Sequence, residues 1–217
     1  MRDIAWATLI TIGINVLFSL KGFKDQAFFD RYKFTIRDIK NGEKIRILSA
    51  GFLHVDMTHL LVNMLTLYFF ADVIIYQMGE VQFAAIYLGS LILGNLFSYY
   101  FHKDEPRYAA VGASGAVMGI LYAAILMNPD MMLGLYFIIP IPAYIFGIGY
   151  LLYSIYGMKK RLGNIGHDAH FGGAMGGYFI TLLLAPWVLE VHLMMTILLA
   201  IPLVVLFIVY KSKLIQP

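Results

Sequence analysis

The sequence predicts an all-α, polytopic membrane bundle of about seven transmembrane helices. Two observations carry that prediction. The 217-residue chain is 60% hydrophobic and only 13% charged, with a mean hydropathy of +0.76, whereas soluble domains carry roughly 25% charged residues. Its charges are also clustered, leaving apolar stretches close to the ~20 residues that cross a hydrocarbon core. The sequence contains no cysteine, which excludes disulfides, thiolate metal sites and a cysteine nucleophile. The formal net charge of +3 is small, so the basic residues read as topology signals and no nucleic-acid partner is expected.

The first helix is expected over about residues 4 to 20. Its run IAWATLITIGINVLFSL lacks a basic leader beyond Arg2 and a small-residue cleavage site, so no cleavable signal peptide is expected. A polar, charge-rich segment of about 30 residues follows. The second helix is expected over about 58 to 77 and the third over 81 to 101. The fourth starts near Ser114 and stops before Asn128 and Pro129, a helix-ending pair. The fifth, about 133 to 156, contains Pro140 and Pro142 and is expected to be kinked or to start late. The sixth runs over about 169 to 184 and ends at Pro186; the seventh covers 189 to 210.

Alternation across seven spans places three polar residues together. His59 opens the second helix, Ser114 the fourth and His170 the sixth, and all three helices enter from one side. Such residues at membrane depth are costly and point to function. Taken singly, each has a structural reading: Ser114 as a small contact residue, His170 as a bonded core histidine, His59 and Asn63 as an interhelical pair. Glycines favour a joint reading. Gly173 and Gly177 fall three and seven residues after His170, and Gly115 and Gly119 form a small-xxx-small step beside Ser114, so the two backbones can approach closely. That approach is what a serine needs to reach a histidine at about 2.6 to 3.2 Å. His59 and Asn63, spaced i and i+4, share a face and offer N–H donors to a developing oxyanion, with the Ser114 backbone N–H as a third. Asp168 lies two residues before His170 and is expected to face away from it.

At these residues the chain resembles the rhomboid family of intramembrane serine proteases. GFLHVDMTHLLVN, GASG and AHFGGAMGG match the family's ordered motifs, over roughly residues 45 to 185. The order is highly specific, whereas GxSG alone would be weak. The resemblance implies one rhomboid-like transmembrane domain over 1–217, with a catalytic core of about 45 to 185 and one added C-terminal helix, about 189 to 210. It implies Ser114 as nucleophile, His170 as general base and acid, and His59, Asn63 and the Ser114 N–H as the oxyanion hole. Gly112, Gly115, Gly173, Gly177 and His54 support the motif, His54 by packing near the site. No cofactor or metal is expected. The expected partners are transmembrane protein substrates and the lipid bilayer, and the expected location is a bacterial inner (plasma) membrane.

Three departures from the family's pattern stand out. Ile45-Arg46 replaces the common Trp-Arg, weakening the first loop's membrane anchor. Met118 replaces an aromatic that stacks on the base, so the imidazole is oriented less firmly. Of the 16 Lys and Arg, all but Arg2 fall on the side to which the site opens. The positive-inside rule would place that side in the cytoplasm; the resemblance implies the exterior and is followed here. Substrate helices would unwind beside the second and fifth helices, with Pro140, Pro142, Gly147 and Gly149 as a deformable gate. The alternatives are a pseudoprotease or helix-binding scaffold, a metal-dependent hydrolase using His167 and His170 of HDAH, and a transporter, for which repeats and a chain of buried charges are lacking.

Overall fold

Apolar runs become helices here because only closed backbone hydrogen bonding is tolerated in hydrocarbon. The structure is a computed structural model and describes residues 4–135, 139–160, 162 and 166–212. In chain order, α1 (Trp6–Lys24) is followed by α2 (Gln26–Tyr32), β1 (Phe34–Thr35), α3 (Ile36–Lys40), α4 (Arg46–Ser49) and a 3-10 turn at Ala50–Phe52. Then come α5 (Met57–Met78), α6 (Glu80–Phe101), β2 (Ala109–Ala110) and α7 (Ser114–Met127). A hairpin of β3 (Met132–Leu135) and β4 (Ile139–Pro142) leads to α8 (Ala143–Lys160), α9 (His167–Leu184), α10 (Trp187–Val191) and α11 (Leu193–Lys211).

The long helices α1, α5, α6, α7, α8, α9 and α11 form the polytopic bundle. Its outer surface is apolar, with Leu17, Leu61, Val62, Phe69, Val81, Leu183 and Phe207 exposed, a face that hydrocarbon covers and water does not. By length and composition α1, α5, α6 and α11 can each cross a membrane. The central helix α7 is different. It has 14 residues, roughly 21 Å at 1.5 Å per residue, against a hydrocarbon core of about 30 Å. Ala116 to Met127 are all buried, with α5, α6, α8, α9 and α11 packed around them. A helix this short, surrounded by longer ones, does not reach across a hydrocarbon core from face to face.

Glycines make the central packing possible. A side chain at Gly173 would strike the backbone of Gly115, and one at Gly177 the backbone of Gly119. The two small-residue steps therefore meet in register, as expected from their spacing. α6 joins the same junction: a Cβ at Gly94 would lie 2.7 Å from the Ala169 carbonyl oxygen, and one at Gly176 2.9 Å from Ser90 Cα. Because the obstructing atoms are backbone, no rotamer change relieves the clash.

The charge-rich connection after α1 is folded. β1 pairs antiparallel with β2, Phe34 opposite Ala110 and Thr35 opposite Ala109, while the Ile36 N–H donates to the Tyr108 carbonyl at 3.3 Å. Phe34, Ile36, Ile39 and Ala50 form a small core of their own. Arg46 is its polar centre. The buried guanidinium donates to the carbonyls of Asp30 (2.7 Å) and Lys33 (2.9 Å) and to the Glu43 carboxylate (2.8 Å). Asp38 lies 3.5 Å from it. The Thr35 hydroxyl, 2.6 Å from Asp38, outweighs burial and, with Arg37 and Arg46, holds that carboxyl below its usual pKa. Ile45 is exposed, so the segment is organised by the small apolar core and the Arg46 bonds without it.

One helix takes an expected form and another is divided. The fifth helix starts late rather than kinked, as its prolines allow, because Pro140 and Pro142 lack N–H donors and disfavour helix before them. They sit instead on β4, Pro142 opposite Met132 and Pro140 opposite Gly134, and α8 starts at Ala143. The seventh helix is divided at His192, whose φ and ψ of −123° and 38° separate α10 from α11.

The junction yields a paired prediction. Gly177→Val is expected to lose about 2 kcal/mol or more of stability through backbone overpacking. Gly149→Ala, where no atom lies within 4 Å of the added Cβ, is expected to gain roughly 0.5 kcal/mol from reduced chain entropy. Thermal unfolding of the two variants in one detergent reads the difference.

Candidate active site

Residue 114 is positioned by what precedes it. Gly112 has φ 134°, a conformation that disfavours side chains, and its N–H donates to the Ala50 carbonyl at 3.0 Å. The Ala113 N–H donates to His54 Nε2 at 3.4 Å. Nε2 is thus the acceptor, so His54 Nδ1 carries the proton and donates to Ser19 Oγ at 2.8 Å, and Ser19 donates to the Phe52 carbonyl at 3.1 Å. Burial, with His59 nearby, keeps His54 uncharged by lowering its pKa to about 3. His54 is a strut tying α1 to the residue before Ser114.

His59 and Asn63 stand on the first turns of α5, whose N-terminus is capped by Asp56 accepting from the His59 N–H at 2.7 Å. The Asn63 amide donates to the His59 carbonyl at 2.9 Å, leaving its second N–H hydrogen available. The position a side chain at Gly112 would fill is bordered by His59 Nε2 at 2.9 Å and Ser114 Oγ at 3.6 Å. Hydroxyl and imidazole thus flank one small space. The Ser114 N–H is among the first four amides of α7, which a helix cannot pair internally.

His170 occupies the first turn of α9 and is buried. Its neighbour Ala169 packs on the residue after Ser114: a Cβ at Gly115 would lie 3.1 Å from the Ala169 carbonyl oxygen. Ser114 and His170 therefore lie on touching first turns of α7 and α9. Their backbones supply the contact, as Gly115, Gly119, Gly173 and Gly177 predict. His167 turns elsewhere, its ring against Gly157 and edge-on to Tyr153 at 5.2 Å. Asp168 also faces away from His170, with Oδ2 3.5 Å from both His102 Nε2 and the Tyr108 hydroxyl.

Two contributors escaped the sequence reading. Tyr150 of α8 places its hydroxyl 2.7 Å from His170 Nδ1. Its signal was present but weak: residues 150, 154 and 157 share one face of α8, which meets α9. The other is the strand segment at Ala109–Ala110, too short for any periodicity to show.

Residues 41–187 match the Rhomboid domain family model. The chain belongs to the rhomboid family. Among its relatives is the RHOMBOID-like protein 12, mitochondrial, of Arabidopsis thaliana, 29% identical over 189 residues, which are 80% of this chain and 56% of that protein. Rhomboid protein 1, mitochondrial, of Saccharomyces cerevisiae is 33% identical over 174 residues, 76% of this chain and 49% of that protein. The presenilin-associated rhomboid-like protein, mitochondrial, of Mus musculus is 33% identical over 142 residues, 62% of this chain and 37% of that protein. The chain thus spans about half the length, or less, of these relatives. Rhomboids are generally intramembrane serine proteases, and this one is an integral, multi-pass membrane protein. The three relatives are mitochondrial by name, so a bacterial plasma membrane finds no support among them.

In this rhomboid the end of α6 is clamped to the start of α9. The His102 and Tyr108 rings stack at 3.6 Å and 7°, and His102 Nδ1 lies 3.1 Å from Glu105. Burial pushes the His102 pKa down, but the hydrogen bonds to Asp168 and Glu105 outweigh it and the net shift is upward. A raised folded pKa stabilises the fold fully below the unfolded value of 6.5 and ceases to do so as pH rises through the folded value. The unfolding temperature of wild type is therefore expected to exceed that of His102→Gln most at pH 5.5, the gap narrowing by pH 8.5.

Gly112→Ala is expected to cost roughly 1 to 2 kcal/mol from strain at positive φ and to displace the His59 ring. Calorimetry and the His59 ring signals in NMR report the two effects.

Proposed function

We propose that this rhomboid is an active intramembrane serine endopeptidase, hydrolysing peptide bonds in or near transmembrane helices of membrane-protein substrates. What supports this reading is the backbone contact between the first turns of α7 and α9, the turns that carry Ser114 and His170. The catalytic domain is read as one unit over 1–217, with a core of about 45 to 185 and α11 as the added helix.

In this mechanism His170 Nε2 takes the Ser114 hydroxyl proton while Oγ bonds to the scissile carbonyl carbon. The carbonyl π electrons move onto oxygen. In this reading that oxyanion is met by the Ser114 N–H, the second N–H hydrogen of Asn63 and the His59 ring. His170 then passes its proton to the leaving amine as the C–N bond breaks. Water attacks the acyl-enzyme ester, with His170 again as base, and frees the second product. Gly147 is packed against Ile125, and its carbonyl accepts from the Tyr122 hydroxyl at 3.0 Å, so α8 is anchored to α7 at that turn.

A tagged fluorophosphonate tests this without a known substrate. One adduct on detergent-solubilised wild type is expected by intact-mass spectrometry, absent from Ser114→Ala and reduced at least ten-fold in His170→Ala. An unlabelled, folded wild type, or equal labelling of Ser114→Ala, would defeat the assignment in favour of a helix-binding scaffold.

A further inference from the structure

We infer that Tyr150 is the positioning residue of the proposed base, holding His170 in the tautomer that can accept the serine proton. This rests on the protease reading above and deepens it. A serine–histidine pair needs the imidazole turned correctly and its proton on the nitrogen remote from the serine. In many serine hydrolases a carboxylate does both. Here α9 has one acidic residue, Asp168, and its Oδ2 lies 3.5 Å from His102 and Tyr108, on the far side of the helix. Met118, four residues after Ser114, offers a thioether and no hydrogen-bond donor. The group at His170 Nδ1 is the Tyr150 hydroxyl, at 2.7 Å, with ring centroids 5.7 Å apart.

The polarity of that bond follows from the chemistry. For Nε2 to take the Ser114 proton, the neutral ring must carry its hydrogen on Nδ1, which then donates to the phenol oxygen. The same oxygen still accepts from Nδ1–H once the imidazolium forms, so one contact serves both states. The phenol is itself held. Phe146 stacks on it at 5.7 Å and 19°, and Gly147 is bound to Tyr122 one turn earlier. Two turns later Gly157 fits against the His167 ring. α8 is thereby fixed on both sides of residue 150, and the hydroxyl is held by packing on α7 and α9. The other titratable groups near His170 are His59 of α5 and His167 and Asp168 of its own helix; none of them is hydrogen-bonded to Nδ1 among the described residues.

Tyr150→Phe tests the role, since it keeps the ring and its stacking and removes only the hydroxyl. Two readouts are taken on full-length protein in detergent. The first is cleavage of a fluorogenic transmembrane-helix peptide, with Ser114→Ala as blank. The second is the 15N shifts of the imidazoles, with His170 assigned by its loss in His170→Gln. The expected result is the Nδ1–H tautomer in wild type, a shift toward Nε2–H in Tyr150→Phe, and a kcat about ten-fold lower at unchanged KM. Wild-type tautomer and kcat in Tyr150→Phe would overturn the inference while leaving the protease intact. A resting Nε2–H tautomer in wild type would overturn it as well, because the phenol would then be donating. Turnover that survives Ser114→Ala would instead remove the protease reading, and the role of Tyr150 with it.

Discussion

Everything at the site depends on two helix backbones lying in contact. Side chains normally hold helix axes 8 to 10 Å apart. Gly115 and Gly119 against Gly173 and Gly177 remove that spacing. In a bilayer the contact is not driven by expulsion of water, since lipid tails are as apolar as the helices; close van der Waals packing and weak Cα–H to carbonyl contacts supply it. The same glycines that weaken an isolated helix are therefore the ones that make this pair of helices.

A second constraint works on the segment entering α7. Four residues, Ala109 to Gly112, are fixed from three directions: by β1, by the Ala50 carbonyl, and through Ala113 by the His54–Ser19 chain. The first connection, polar and apparently a linker, is thus part of the site's frame. Arg46 explains why it can be. A guanidinium has five donors, and this one gathers two carbonyls and a carboxylate beside the small core of Phe34, Ile36, Ile39 and Ala50.

Much of this was legible in the residues. Hydropathy and the Asn128–Pro129 stop gave the helices, and alternation put His59, Ser114 and His170 at one end without any structure. The glycine spacing predicted which faces meet. What stayed hidden has a common physical origin: it is set by contacts between segments distant in sequence. A two-residue strand such as Phe34–Thr35 has no periodicity of its own and exists only because Ala109–Ala110 lies beside it. Tyr150 looks like any amphipathic aromatic until the register of α8 on α9 is known. The late start of α8 was half visible, since two prolines argue against helix, but nothing local says that they would pair with Met132 and Gly134.

The depth of the site ties these strands together. α7 falls short of the bilayer by about 9 Å, taking 1.5 Å per residue and a 30 Å core. Had α7 continued for another two turns at its N-terminus, residue 114 would lie mid-helix, its N–H spent on an i−4 carbonyl and its hydroxyl walled in by neighbouring helices. Starting the helix at the serine leaves its N–H without an intrahelical partner. The missing turns must be replaced by backbone that is hydrogen-bonded some other way, because unpaired amides at that depth are costly. The β1–β2 ribbon, the Gly112–Ala50 bond and the His54 strut do this. The irregular segment before Ser114 is therefore what a short central helix in a membrane bundle requires, and the folded first connection follows from that requirement.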